Sequence, residues 1–133
     1  MAITGYSGTP LIQKLGIKKE MRVWLINPPD HYFELLGTDI SQQLTQTEDA
    51  DLVHLFVASK KHLTHYFTSL IAILSSNAII WISWYKKSAK IPTDITEDAI
   101  RELVLPTGWV DVKVCAVDEL WSGLKIVKRR LNR

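Results

Sequence analysis

Apolar residues along this chain fall into two alternating kinds of run. The short continuous ones are "RVWLI" (22–26), "DLVHLFV" (51–57) and "AIIWISWY" (78–85), rich in β-branched and aromatic residues. Runs of this kind predict strands covered on both faces, as in the middle of a parallel sheet. Between them the spacing becomes helical. In "SKKHLTHYFTSLIAILSS" (59–76), Leu63, Tyr66, Phe67, Leu70, Ile73 and Leu74 share one stripe, and Asn77 suits a left-handed helix stop.

Caps and breakers set the remaining boundaries. Thr9 can cap a short helix with Pro10 at its first position, and Gly16 closes it. Asn27 reads as the cap of a second short helix, with Pro28 at its first position, Asp30 in its first turn, and Gly37 ending it after Leu36. The polar stretch 38–50 predicts a loop holding at most one short edge strand. In "TDITEDAIRELVLPTG", Asp94 reads as a cap with Glu97 as its capping-box partner, and Pro106 and Gly108 stop the helix. "WVDVKVCAV" (109–117) and "WSGLKIVKRR" (121–130) read as strands whose short connection permits only an antiparallel hairpin.

Strand–helix alternation of this kind implies an α/β fold: a single Rossmann-like three-layer domain over residues 1–133, mostly parallel, ending in an antiparallel hairpin. That pattern resembles the methyltransferase fold in truncated form, because the region between the first strand and "DLVHLFV" is short. More specifically, "GYSGTPLIQKLGI", "VHLFV", "SWYKKSAKIPTDITEDAIREL" and "VDVKVCAVDELWSGLKIV" resemble segments of a small bacterial family carried as a domain of unknown function. The resemblance implies a compact Rossmann-like domain of a cytosolic bacterial protein. It implies no activity, cofactor or catalytic residue.

Composition changes this picture little. With 47% hydrophobic and 23% charged residues the chain reads as an ordinary globular fold. A formal charge of +2 makes nucleic acid an unexpected partner, even with the basic tail "KIVKRRLNR". The single Cys115 fits a reducing compartment, the start carries no export signal, and "LIAILSSNAIIWISW" is too interrupted to span a bilayer. A cytoplasmic protein without membrane contact is the expectation, its oligomeric state open.

Chemistry is sparse. Asn27-Pro28-Pro29-Asp30 is similar to the N-P-P-aromatic loop of amino-group methyltransferases. It follows the first strand rather than the fourth, however, and holds Asp30 at the aromatic position, so it reads as helix punctuation. No glycine-rich loop is present to admit a nucleotide cofactor, and none is expected. His62 and His65 share a helix face without a third metal ligand, so no metal is expected. His54 reads as a core histidine and Cys115 as an inert buried thiol. "WSG" lacks the turn that a nucleophilic serine needs.

In open α/β sheets ligands bind beyond the carboxyl ends of the strands. That edge should gather Lys60, Lys61, Trp84, Tyr85, Lys86, Lys87, Asp118, Glu119 and Trp121. The candidate ligand-binding residues are accordingly Lys60, Trp84, Lys86, Lys87, Asp118, Glu119 and Trp121. They form a lysine-aromatic rim suited to a small phosphate or carboxylate, with Asp118 and Glu119 as the one acidic pair available as base or hydroxyl clamp. The missing glycine loop and the lack of a convincing acid–base pair favour a non-catalytic ligand-binding or regulatory module with an anion-preferring rim. The alternative is a small transferase-type enzyme acting on an anionic phosphate or carboxylate substrate.

Overall fold

Five strands hydrogen-bond into one sheet in the order β1-β2-β3-β5-β4. They are β1 (Val23–Ile26), β2 (Leu52–Phe56), β3 (Ile79–Tyr85), β4 (Trp109–Ala116) and β5 (Trp121–Lys128). The computed structural model describes residues 9–130. β1, β2 and β3 are parallel, whereas β5 runs antiparallel to both β3 and β4. The last hairpin thus folds back so that its second strand, not its first, joins the parallel part. This is a mixed α/β sheet of the Rossmann-like, methyltransferase-like type.

Helices cover both faces. Against one face lie α1 (Leu11–Leu15) and α2 (Tyr32–Leu36); against the other lie α3 (Lys60–Ile73) and α4 (Glu97–Val104). On the α3–α4 face Val53, Leu55, Ile80, Ile82, Trp84, Leu124 and Ile126 meet Leu63, Phe67, Leu70, Ile100 and Val104. Each such fully buried side chain contributes roughly 1.5–3 kcal/mol relative to exposure. On the α1–α2 face Val23, Leu52, Phe56, Trp81 and Trp121 meet Leu11, Leu15, Tyr32 and Leu36. Close approach is required at Gly123 on this face, where a Cβ would stand 3.3 Å from both the Trp81 ring and Val117.

The strand at 22–26 departs from its predicted place. It is an edge strand, paired along its length with β2 alone, plus one bridge between Val23 and Leu44 and a bond from the Thr45 N–H to the Val23 carbonyl (2.9 Å). Its apolar residues fill both faces because helices cover both faces even at the edge. Face burial therefore says nothing about how many neighbours a strand has.

Several caps also shift. Asn27 is not a helix cap but a left-handed residue at φ 57°. α2 begins only at Tyr32, with His31 at its cap position, so Pro28 precedes the helix rather than opening it. Pro10, not Thr9, takes the cap position of α1, its carbonyl accepting from the Gln13 and Lys14 N–H groups. α3 stops at Leu74 in an extended conformation (φ −76°, ψ 150°) and not through a left-handed Asn77. Thr96, rather than Asp94, caps α4 by accepting the Ala99 N–H at 3.0 Å. Asp94 reaches across and accepts the Lys60 N–H at the start of α3 (2.7 Å). Two acceptors near a helix start compete for the role, and a tertiary partner decided between them. Gly16, Gly37 and Gly108 do end their helical turns in the left-handed region, and Ser59 caps α3 through the His62 N–H.

Candidate functional site

The carboxyl ends of β1, β2 and β3 carry Asn27, Phe56 and Tyr85, and the β4–β5 turn brings Asp118 and Trp121 over them. Asp118 is buried, and its two oxygens do different work. Oδ1 accepts the backbone N–H groups of Leu120 and Trp121, both at 2.8 Å. Oδ2 accepts from His31 Nε2 at 2.7 Å. The turn thus fixes the carboxylate, and the carboxylate fixes the ring. A carboxylate only accepts, so Nε2 carries the hydrogen, and in the neutral ring Nδ1 is left with a lone pair. The His31 side chain is 43% exposed while that of Asp118 is 9% exposed. A half-exposed imidazole held from behind by an anchored carboxylate has the geometry of an oriented proton acceptor.

Beside this pair Trp121 stacks on Tyr85 (centroids 4.1 Å apart, planes at 27°) and meets the edge of Phe56 at 4.9 Å. Beneath lies a buried polar chain. The Tyr32 hydroxyl bonds His54 Nδ1 at 2.8 Å, and His54 Nε2 bonds Ser83 Oγ at 2.7 Å. Complete burial lowers the His54 pKa to about 3, so the ring is neutral. Burial, with Cys115 adding to it, pushes the Tyr32 phenol far above its ordinary value. This chain is sealed from solvent and supports the floor rather than the chemistry. Lysines border the same face. Lys14 Nζ donates to the Ala116 carbonyl at 3.0 Å; burial foremost and the charge of Lys86 further lower its pKa. Burial raises the Cys115 thiol, opposed by Lys14, Lys113 and Lys86.

The sheet divides the rim expected from sequence. Tyr85 registers with Trp121 and Trp84 with Ser122, so side chains adjacent on β3 leave on opposite faces. Asp118 and Trp121 belong to the α1–α2 side with His31. Trp84 is buried on the α3–α4 side. There it lines a groove of about 510 Å³ with Lys86, Lys87, Lys90, Pro92 and Thr96. Lys60 is exposed at the first turn of α3, and Glu119 is exposed in the β4–β5 turn. Lys86 lies where the two sides meet, lining the groove while its charge reaches Lys14. His31 carried no signal in sequence: its partner lies 87 residues away, and nothing periodic marks it. Among the described residues no group of three or more His, Cys, Asp or Glu side chains gathers to hold a metal ion.

No protein-family model and no curated protein sequence matches the chain. Solved structures do match. A ribosomal protein L11 methylase from Lactobacillus delbrueckii subsp. bulgaricus superposes with a TM-score of 0.57 at 13% identity, over 90% of this chain and 75% of that one. A protein of the NADB-Rossmann superfamily from Streptococcus agalactiae gives 0.54 at 9%, over 98% and 72%. Streptococcus pneumoniae Sp1610, solved in complex with S-adenosyl-L-methionine, gives 0.54 at 7%, over 96% and 76%. At such identities the likeness is one of fold.

The residues of this chain do not fit S-adenosylmethionine. Where β1 gives way to α2 stand Pro28 and Pro29, which have no N–H to offer a cofactor carboxylate and whose rings obstruct close backbone approach. The Asn27 side-chain amide donates to the Phe56 carbonyl at 3.4 Å, across the gap between the first two strand ends. Five strands thus build a methyltransferase-like sheet whose first strand opens onto prolines and an oriented His–Asp pair.

Proposed function

We propose that the protein is a small transferase-type enzyme acting on a substrate that bears a phosphate or carboxylate. His31 takes a proton from a nucleophilic group of the acceptor as the bond between the donor's transferred group and its leaving group breaks. The proton then passes from His31 to that leaving group, and Asp118 keeps the imidazole in the required tautomer. The Trp121–Tyr85 stack forms an apolar wall, and Lys86 supplies positive charge to the anion. Trp84, Lys87, Lys60 and Glu119 border the approach from the other side of the rim. The observation that carries this reading is the hydrogen bond from His31 Nε2 to Asp118, together with the two backbone N–H groups that anchor the carboxylate. The structural neighbours support a transferase over a module without chemistry, and Pro28 and Pro29 support a donor other than S-adenosylmethionine. The segment resemblance further supports a cytoplasmic bacterial protein of the small family named above. No described helix is long and apolar enough to cross a membrane.

The test is a thermal-shift screen with inorganic pyrophosphate, nucleoside mono- and triphosphates, citrate and S-adenosylmethionine. A ligand at about a hundred times its dissociation constant adds roughly 2.7 kcal/mol of stability. The account expects at least one phosphate or carboxylate to bind, binding to weaken in Lys86→Ala, and turnover of that compound to vanish in His31→Gln with binding kept. Binding without any turnover returns the protein to the ligand-binding or regulatory module. Pro28 and Pro29, which close the usual cofactor entry, favour that reading in such a case. No binding by any anion refutes both.

A further inference from the structure

A net charge of +2 conceals an uneven distribution. α1 and α2 cover the sheet over β1 to β3 and the Trp121–Gly123 end of β5, and leave Lys113, Lys125 and Val127 of the β4–β5 hairpin at the surface. Register places Lys113 directly opposite Lys125, with Cys115 opposite Gly123 and Val110 opposite Val127. Val127, Lys125, Gly123 and Trp121 alternate along β5 and so share the α1–α2 side. Lys14 and Lys86 stand at the Trp121 end of this strip, near enough to affect one another and Cys115. At its other end a cleft of about 690 Å³ is lined by Ser76, Asn77, Val110, Val127, Arg129 and Arg130. The strip therefore runs the length of β5, roughly 25 Å at strand rise.

Among the described residues, and leaving Lys14 aside, the cations of this strip form no ion pair with an acidic group. Among the described residues the ion pairs engage Arg22, His31 and Arg101, and none engages Lys86, Lys113, Lys125, Arg129 or Arg130. The acid of β4, Asp111, registers with Ile126 on the opposite face and is held there by Arg101 Nε at 2.9 Å. Like charges directly opposite across a strand pair destabilise a sheet. Lysine on an edge strand has a plain use, since it discourages edge-to-edge pairing, and that accounts for Lys113 on β4. It does not account for Lys125, which is half-buried on β5 between two neighbours.

From this we infer that the open face of the β4–β5 hairpin is a docking surface for the phosphate backbone of a nucleic-acid duplex. Charge complementarity chooses the partner class, because a row of cations spanning 25 Å or so faces several phosphates of a duplex at once. Its aromatic rings are buried or half-buried in the Trp121–Tyr85 stack at one end, so a single strand finds no row of rings on which to stack its bases. Val112 and Val114 are exposed, but Val114 registers with Leu124 and points to the other side. Val112, the unpaired residue of the bulge beside Lys113, is a single exposed valine, too small an apolar area to anchor a lipid surface. Contacts limited to phosphates position a protein without reading sequence, so binding is sequence-independent and steeply salt-dependent.

The experiment is fluorescence anisotropy of labelled 20-base-pair DNA and RNA duplexes with the full chain between 50 and 200 mM salt. Neutralising four phosphates predicts a loss of affinity of roughly a hundredfold over that range. Lys113→Gln with Lys125→Gln should weaken binding about tenfold at 50 mM salt and flatten the log–log salt slope by about two. Its melting temperature should hold or rise, as the opposed charges are relieved. Lys113→Arg with Lys125→Arg should bind like the parent, and Lys61→Gln, on the exposed start of α3, should change nothing. The inference is overturned if the parent does not bind at 50 mM salt, or if the double glutamine variant binds unchanged. It is also overturned if Lys61→Gln weakens binding equally, or if phosphatidylserine vesicles hold the protein against excess duplex.

Discussion

The two faces of the sheet follow different rules. On the α3–α4 side β2 and β3 present Val53, Leu55, Ile80 and Ile82, all apolar and fully covered. On the α1–α2 side the same strands present His54 and Ser83, joined to Tyr32, and Trp81, whose indole N–H donates to the Leu15 carbonyl at 2.9 Å. Among the described residues no buried side-chain nitrogen or oxygen lacks a partner. One face needs only volume, whereas the other needs each polar atom matched. A polar, matched floor fixes the strand ends above it, and there His31, Asp118 and Trp121 converge. The contrast teaches that the side of the sheet that is harder to build is the side that holds the site.

The comparison can be broken from either face. Leu55→Ala on the apolar side leaves a cavity and should cost about 2–5 kcal/mol in urea unfolding, without altering anion binding at the His31 site. A cost under 1 kcal/mol would show that this face is not close-packed.

Acid probes the polar side. His54 has a folded pKa of about 3 against an ordinary 6.5, so the unfolded chain takes up the proton first. Its contribution is complete above pH 6.5 and is lost progressively as pH falls toward 3. At pH 4.5 the loss should be about 2–3 kcal/mol. The urea midpoint of the parent should therefore fall more steeply from pH 7.5 to 4.5 than that of His54→Gln, which cannot titrate. Parallel curves would contradict a buried neutral ring.

Removing one hydroxyl is a smaller intervention. Tyr32→Phe leaves His54 Nδ1 buried without its partner and should cost about 1–3 kcal/mol. Ser83→Ala should do the same at Nε2. The double variant should depart from the sum by at least 0.5 kcal/mol, because the three groups form one chain. Strict additivity would mean that the chain is not coupled.

How much of this could be read in the sequence depended on distance along the chain. Apolar runs placed the three parallel strands, and the short 117–121 connection dictated the hairpin. Helix stops at Gly16, Gly37 and Gly108 were visible because a left-handed residue is a local requirement. The edge position of 22–26 was hidden, since covering helices hide an edge from any hydrophobic pattern. Asp94 was read as a local cap but serves Lys60 across the fold. In the site, Asp118 and Trp121 were legible as turn and aromatic, while Trp84 was grouped with them against the alternation that separates it from Tyr85. His31 was not legible at all, because its meaning comes from a carboxylate on the last turn of the fold.

The smallest effect expected is none. S-adenosylmethionine at 1 mM should produce no resolvable heat in titration calorimetry, because Pro28 and Pro29 stand where a backbone approach is needed. A low-micromolar dissociation constant would reverse the assignment of the β1–α2 turn.

The central claim is that the His31–Asp118 side of the sheet, not the Trp84 groove, is where substrate binds. Nitrogen-resolved NMR during titration with inorganic pyrophosphate tests it most directly. The account predicts a His31 ring hydrogen-bonded through Nε2–H before addition. Shifts should then concentrate at His31, Asn27, Tyr85, Lys86 and the Trp121 indole, and the Nε2–H signature should disappear in Asp118→Asn. Shifts confined to Trp84, Lys87, Lys90 and Thr96, or an imidazole protonated on Nδ1 instead, would contradict it.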